Sequence, residues 1–147
     1  MKILVLNGPN LNMLGIREPG IYGSETYRDL LEKIAAHAQT RGVSVDFFQS
    51  NHEGAIIDEI QRVGFTSQGI AINAGAYTHY SIAIADALRA VTAPAVEVHI
   101  SDVMSREPFR HVSMIKDACA TVVAGYGLDS YRRAIDFLLN LSSKQPK

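Results

Sequence analysis

KILVLNGPNLNMLGIREPGIYG, residues 2–23, joins an apolar run from Ile3 to Leu6 to a polar stretch from Asn7 to Gly23. A short, continuously apolar run is the pattern of a strand buried on both faces, as in a parallel sheet covered by helices. The stretch behind it holds four glycines, two prolines, three asparagines, Arg17 and Tyr22. Strand-to-helix connections typically run about 2 to 6 residues, so a loop of this length and polarity reads as a lid or binding loop.

Outward from that stretch, strand and helix signals alternate. Ser24 or Thr26 can cap a helix whose apolar positions Leu30, Leu31, Ile34, Ala35 and Ala38 recur at helical spacing until Gly42. Val43 to Phe48 reads as a second strand, and Glu53 to Val63 as a helix with Ile56, Ile57, Ile60 and Val63 on one stripe. Gly69 to Ile72 is a third strand, Asn73 to His79 a turn, and Tyr80 to Val91 a helix that must stop before Pro94. Ala95 to Ile100 is a fourth strand, followed by a polar loop, Ser101 to His111, that runs into a short helix over Val112 to Ala118. Ala120 to Ala124 is a fifth strand. Asp129 can cap a last helix that buries Tyr131, Ile135, Leu138 and Leu139, and the tail Ser142 to Lys147 is expected to fray.

Strands alternating with helices imply a doubly wound parallel sheet in three α/β/α layers, and the common order for five strands is 2-1-3-4-5. Ligands in such sheets bind beyond the carboxyl ends of the strands, where the order reverses. The loops after strands one, three and four should converge there, and they are the loops richest in polar residues.

With 147 residues, 47% of them hydrophobic, residues 1–147 are expected to form a single domain around one core. A net charge of -1 without a long basic block argues against a nucleic-acid surface. Cys119 beside the small-residue and valine run reads as a packed residue, not a reactive thiol. A strand beginning directly after Met1-Lys2 leaves no room for a signal peptide, and no apolar run approaches the roughly 20 residues of a membrane span. A cytoplasmic protein without a membrane partner is expected.

The converging loops carry the chemistry. GPNLNMLG lacks both the lysine and hydroxyl ending of a phosphate-binding loop and the glycine spacing of a dinucleotide site. Taken alone, Arg17 and Tyr22 read as surface residues of a mobile loop; the neighbouring loops give them weight. Asn73 to His79 offers small residues and backbone donors near a helix N-terminus, as expected of a pocket floor. Period-two alternation puts Glu97 and His99 on one side of the fourth strand and Val96, Val98 and Ile100 on the other. Glu97 can therefore orient His99 as a general acid or base. Arg106 and Arg110 fit either a carboxylate clamp or solvated and interface positions. Zinc is a poor account of the histidines, because HExxH and paired cysteines are both absent, and His37, His52 and His111 have no strong case.

NGPNLNMLGIREPGIYG (7–23), INAGAYTHYSIAIADAL (72–88) and EVHISD (97–102) together resemble the type II 3-dehydroquinate dehydratases of the shikimate and quinate pathway. The resemblance implies a flavodoxin-like fold, no metal or cofactor, and a homododecamer built as four trimers. It implies anti elimination of water from 3-dehydroquinate through an enolate. Tyr22 would act as tyrosinate base, and Arg17 would favour that ionised form, which is needed because an ordinary tyrosine has a pKa of about 10. His99 would protonate the departing hydroxyl, Glu97 would position it, and Asn10 would orient a water against the enolate.

The family's substrate-binding set maps onto Asn73, His79, Ile100, Ser101 and Arg110, with Arg106 on the lid side and Asp86 reaching the site of a neighbouring subunit. Two positions depart from the family pattern: Ala74 stands for the usual proline, which frees an N–H and is expected to loosen the turn. Asp102 stands for the usual asparagine, which brings a negative charge near an anion pocket. All five lysines, Lys2, Lys33, Lys116, Lys144 and Lys147, lie outside the three loops, which disfavours the imine route of the unrelated type I enzymes. Competing readings are a module binding FMN or another phosphate ligand, and an inactive homologue that binds a carboxylate.

Overall fold

Five parallel strands in the order β2-β1-β3-β4-β5 form the sheet of the computed structural model, which describes residues 2–16 and 18–144. β1 is Lys2–Asn7, β2 Ser44–Gln49, β3 Gly69–Asn73, β4 Ala95–His99 and β5 Thr121–Ala124. This is the doubly wound architecture and strand order that the sequence implies. The three central strands are buried along nearly their whole length, because helices cover both faces.

α2 (Tyr27–Thr40) and α5 (Asp129–Ser143) cover one face, where Leu30, Ile34 and Ala38 meet Ile3 and Val5 of β1, and Tyr131 and Ile135 meet Val96 and Val98 of β4. α3 (Glu53–Val63) and α4 (Ile82–Ala90) cover the other, packing Ile56, Ile60 and Ile84 on Leu4, Leu6, Ile70 and Ile72. Each fully buried isoleucine or leucine contributes about 1.5–3 kcal/mol relative to its exposed state. No helix among the described residues is long and apolar enough to cross a membrane.

Element ends follow local chemistry. Thr26 is the cap of α2: its hydroxyl accepts from Asp29 N at 3.1 Å while the Asp29 carboxylate accepts from Thr26 N at 2.9 Å. Gly42, at φ +67°, then takes the left-handed turn that stops the helix. Ser81 caps α4 by accepting from Ile84 N at 3.0 Å.

Three expectations change. Asp129 is the first residue of α5 and not its cap; Leu128 is the cap, and the Asp129 carboxylate instead pairs with Arg132 and Arg133. Residues 112–118 form no helix beyond a single turn at Lys116–Ala118, because Met114 N donates to Thr78 O at 2.8 Å and Lys116 N to Ser113 Oγ at 3.1 Å. Those amides serve a neighbouring loop and a side chain, leaving no helical ladder to build. α5 also runs to Ser143, two residues into the stretch expected to fray.

Candidate active site

Three loop systems at the carboxyl end of the sheet are tied together by backbone. Gly8 N donates to Asn73 O at 2.7 Å, which holds the loop after β1 against the loop after β3. A Cβ on Gly8 would lie 2.5 Å from Ala74 O, so this approach is open only to glycine. Gly127 N donates to Ile100 O at 3.0 Å and anchors the end of β4 from the other side. Between them lies a pocket walled by Asn10 and Tyr22 of the first loop, Asn73 and His79 of the second, and His99, Ile100, Ser101, Arg106 and Arg110 of the third. The convergence expected from the strand order is therefore present.

His99 and Glu97 share one face of β4, as the alternation requires, and are 6% and 2% exposed. His99 Nε2 lies 2.6 Å from Glu97 Oε2. A carboxylate accepts only, so this contact puts a proton on Nε2 and leaves Nδ1 as the nitrogen that can exchange one with a ligand. Ser113 Oγ donates to the other Glu97 oxygen at 2.5 Å and itself accepts from Lys116 N. Both oxygens of a buried carboxylate are thus satisfied, which holds it in one orientation.

His79 faces the same pocket, its ring stacked on that of His99 at 6.4 Å between centroids. Its Nδ1 lies 2.7 Å from Val112 O; a carbonyl cannot donate, so Nδ1 carries the proton. Burial pushes the His79 pKa below its ordinary value, opposed by that hydrogen bond and reinforced by His99 and Arg110. The neutral ring offers Nε2 as an acceptor.

Pro19–Tyr22 forms a single helical turn, α1, in the long loop, and delivers Tyr22 to the pocket. Arg106 Nη1 donates to the Tyr22 hydroxyl at 2.5 Å, and its guanidinium lies 5.1 Å from the ring centroid. The Arg106 side chain is only 9% exposed, and Glu18 and Glu107 each approach it at 3.8 Å. Its Nη2 is buried without a hydrogen-bond partner among the described residues, a donor held ready beside the pocket. Of the open alternatives for this residue, the solvated one is excluded. Arg110 donates to Glu107 at 2.8 Å, and that carboxyl is held below its ordinary range by its own backbone N–H first and Arg110 second.

Asn10 sits in the left-handed region at φ 69°, which asparagine tolerates, and its N–H donates to Asn51 Oδ1 at 3.0 Å. Asp102 does not line this pocket; it accepts from Met104 N at 3.1 Å, capping the turn Val103–Ser105, and lines an adjoining cavity with Tyr22, Ser101 and Arg106. Ala74 has φ -75°, a value proline itself would take, so the backbone keeps the angle that the replaced ring would fix. Asp86 is not among the residues lining this pocket; it stands on α4 with 71% of its side chain exposed, 3.7 Å from Arg89. Arg17 lies outside the described residues. Among the described residues, no group of three or more histidine, cysteine or acidic side chains is placed to hold a metal.

Sequence reasoning missed four partners. Ser113 behind Glu97 and the Val112 carbonyl behind His79 come from an irregular stretch with no periodic signal. Asn7 and Tyr131 lie beneath Asn73: Tyr131 Oη donates to Asn7 Oδ1 at 2.5 Å and accepts from Asn73 Nδ2 at 3.0 Å. A signal did exist for this pair, since a tyrosine on a buried helix face must find a polar partner.

The family model described as "Dehydroquinase class II" matches residues 1–139. A 3-dehydroquinate dehydratase of Caldicellulosiruptor bescii is 57% identical over 131 residues, 88% of this chain and 90% of the relative. A catabolic 3-dehydroquinase of Aspergillus clavatus is 51% identical over 135 residues, 92% of this chain and 90% of the relative. Among solved structures, the type II dehydroquinase of Butyrivibrio crossotus superposes with a TM-score of 0.93 at 53% identity, covering 95% of this chain and 97% of that one.

Proposed function

Because this chain belongs to the class II dehydroquinase family, we propose that it removes water from 3-dehydroquinate to give 3-dehydroshikimate, a hydro-lyase step of the shikimate pathway. The observation that carries the reading is that Tyr22, from the loop after β1, and a Glu97-backed His99, at the end of β4, line one pocket. On this reading Tyr22, as phenolate, takes a proton from the carbon beside the ketone, and the electron pair forms an enolate. The enolate then collapses and expels the hydroxyl on the far side of the new double bond, which His99 protonates as it leaves. Because Nε2 faces Glu97, the proton leaves from Nδ1.

Arg17 favours the ionised form of Tyr22, and Arg106, which donates to the Tyr22 hydroxyl, supplies further positive charge there. Asn10 orients a water against the enolate. Asn73 and the amides of Ile100 and Ser101 hold the substrate carboxylate, while Arg110 and the neutral His79 take ring hydroxyls. No cofactor or metal enters this scheme.

The protein acts as one catalytic domain, in the cytoplasm, within a homododecamer of four trimers in which Asp86 reaches a neighbouring site. Support for an interface role is that Ile82, one helical turn before Asp86 on the same face of α4, is 58% exposed, with Tyr80 beside it at 61%. Light scattering tests the assembly.

Purified protein given 3-dehydroquinate should generate the ultraviolet absorbance of a conjugated enone. Tyr22→Phe should abolish that signal while quinate, a ring carboxylate without the ketone, still binds by calorimetry. A Tyr22→Phe protein that turns over at the wild-type rate would refute the base assignment.

A further inference from the structure

Asn7 and Asn73 end neighbouring strands and are register partners in the pairing of β1 with β3. Period two places both on the face covered by α5, where ordinary core residues would be expected. They are 0% and 5% exposed, so their amides must be satisfied from within the protein. Tyr131, on the first turn of α5 and fully buried, lies against both.

The direction of every bond in this cluster follows from one backbone amide. Gly75 N can only donate, so the Asn73 atom 3.1 Å from it is Oδ1. Asn73 Nδ2 therefore faces Tyr131 Oη, which accepts at 3.0 Å and must spend its own proton elsewhere. It donates to Asn7 at 2.5 Å, which makes that atom Oδ1 and turns Asn7 Nδ2 toward Tyr27 Oη at 3.4 Å. One Asn73 N–H is consumed beneath the site, its oxygen is consumed by Gly75, and the second N–H remains for the pocket that Asn73 lines.

We infer that Tyr131 is a positioning residue for substrate binding: its hydroxyl holds the Asn73 amide so that the pocket meets a fixed N–H donor, matched to a carboxylate. The inference rests on the lyase reading, in which Asn73 holds that carboxylate. Without the Tyr131 hydroxyl, Asn73 is tied at Oδ1 alone and swings about its remaining bond, leaving the donor misaligned. Tyr131 touches neither the reacting carbon nor the leaving hydroxyl in this scheme, so its loss weakens binding and spares the chemical step.

Tyr131→Phe tests this. KM for 3-dehydroquinate should rise about tenfold with kcat within about twofold of wild type. The inhibition constant of quinate, which presents the same carboxylate, should rise by about the same factor. A purely structural role would lower kcat or Tm and leave KM unchanged, and that outcome, or unchanged kinetics, overturns the inference. If Tyr131→Phe does not fold, a crystal structure of the wild-type protein with quinate decides: Asn73 Nδ2 should lie within about 3.2 Å of both Tyr131 Oη and the ligand carboxylate. An Nδ2 that abandons Tyr131 to reach the ligand, or a carboxylate seated elsewhere, refutes it. Wild-type protein that binds quinate without turning over 3-dehydroquinate instead refutes the lyase reading, so the two failures are read separately.

Discussion

Glu97→Gln preserves size and shape and changes what the side chain presents to His99. Ser113 receives Lys116 N–H and aims its own proton at residue 97, so the glutamine oxygen is drawn to the Ser113 side. The amide NH2 is then left facing His99 Nε2 across the 2.6 Å gap. Two donors now oppose each other whenever Nε2 is protonated, which it is both in the charged acid and in the neutral ring left after Nδ1 gives up its proton. The loss is about 1.5–3 kcal/mol for a hydrogen bond to a charged group, with about 1–3 kcal/mol more for the buried N–H left unpaired. At about 1.36 kcal/mol per decade, kcat should fall roughly a hundredfold to ten-thousandfold, with KM little changed.

The double variant sharpens the test. Adding Ser113→Ala to Glu97→Gln frees the amide to turn its oxygen toward His99, so the double variant should run about tenfold faster than Glu97→Gln alone. Ser113→Ala by itself should be slower than wild type, because Glu97 Oε1 loses its donor in a site that is 2% exposed. The assay is the rate of enone absorbance, with circular dichroism to establish folding. Folded Glu97→Gln with kcat within about threefold of wild type, or a double variant whose losses simply multiply, would refute the orientation mechanism.

Other perturbations read separate parts of the molecule. Ala74→Pro, at φ -75° behind an extended Asn73, should raise stability by about 0.4–1 kcal/mol by restricting the unfolded chain, measured as a higher urea midpoint; a lower midpoint would show that the ring does not fit. The His79 pKa is lowered in the folded state, so the unfolded chain binds more protons in that range and stability rises with pH. Its contribution is complete above the ordinary histidine pKa of about 6.5 and is lost as pH falls below it, so His79→Gln should flatten the acid limb of a denaturation midpoint plotted against pH. Burial, with the Glu97 charge second, pushes the Cys119 thiol up to about 12, so the native protein should resist a thiol reagent at pH 8 that labels it fully in denaturant. Rapid native labelling would contradict its packing.

Much of the fold was legible because it depends on periodicity. The apolar run Ile3 to Leu6, the alternating stretch Ala95 to Ile100, and stripes such as Ile56 and Ile60 read as buried strands and helix faces that a parallel sheet accommodates. Strand order then located the pocket, and three motifs carried the family resemblance. Tyr22, His99 and Asn73 could be placed at the pocket because they lie in contiguous motifs at the strand ends and loops that topology gathers.

The partners of those residues were not legible, because a hydrogen bond between distant residues leaves no local pattern. Ser113 belongs to a stretch whose amides serve other loops, so neither its turn nor its aim at Glu97 is periodic. Arg106 read equally well as a solvated residue until the third dimension laid it on the Tyr22 hydroxyl. Asn7 and Tyr131 stand far apart in sequence, and only the packing of α5 across the ends of β1 and β3 makes them one buried cluster. Alternation of side chains and strand order determined where the candidate chemistry of this protein gathers. The tertiary structure decided which groups orient that chemistry, because each buried polar atom must find its partner wherever the packed chain supplies one.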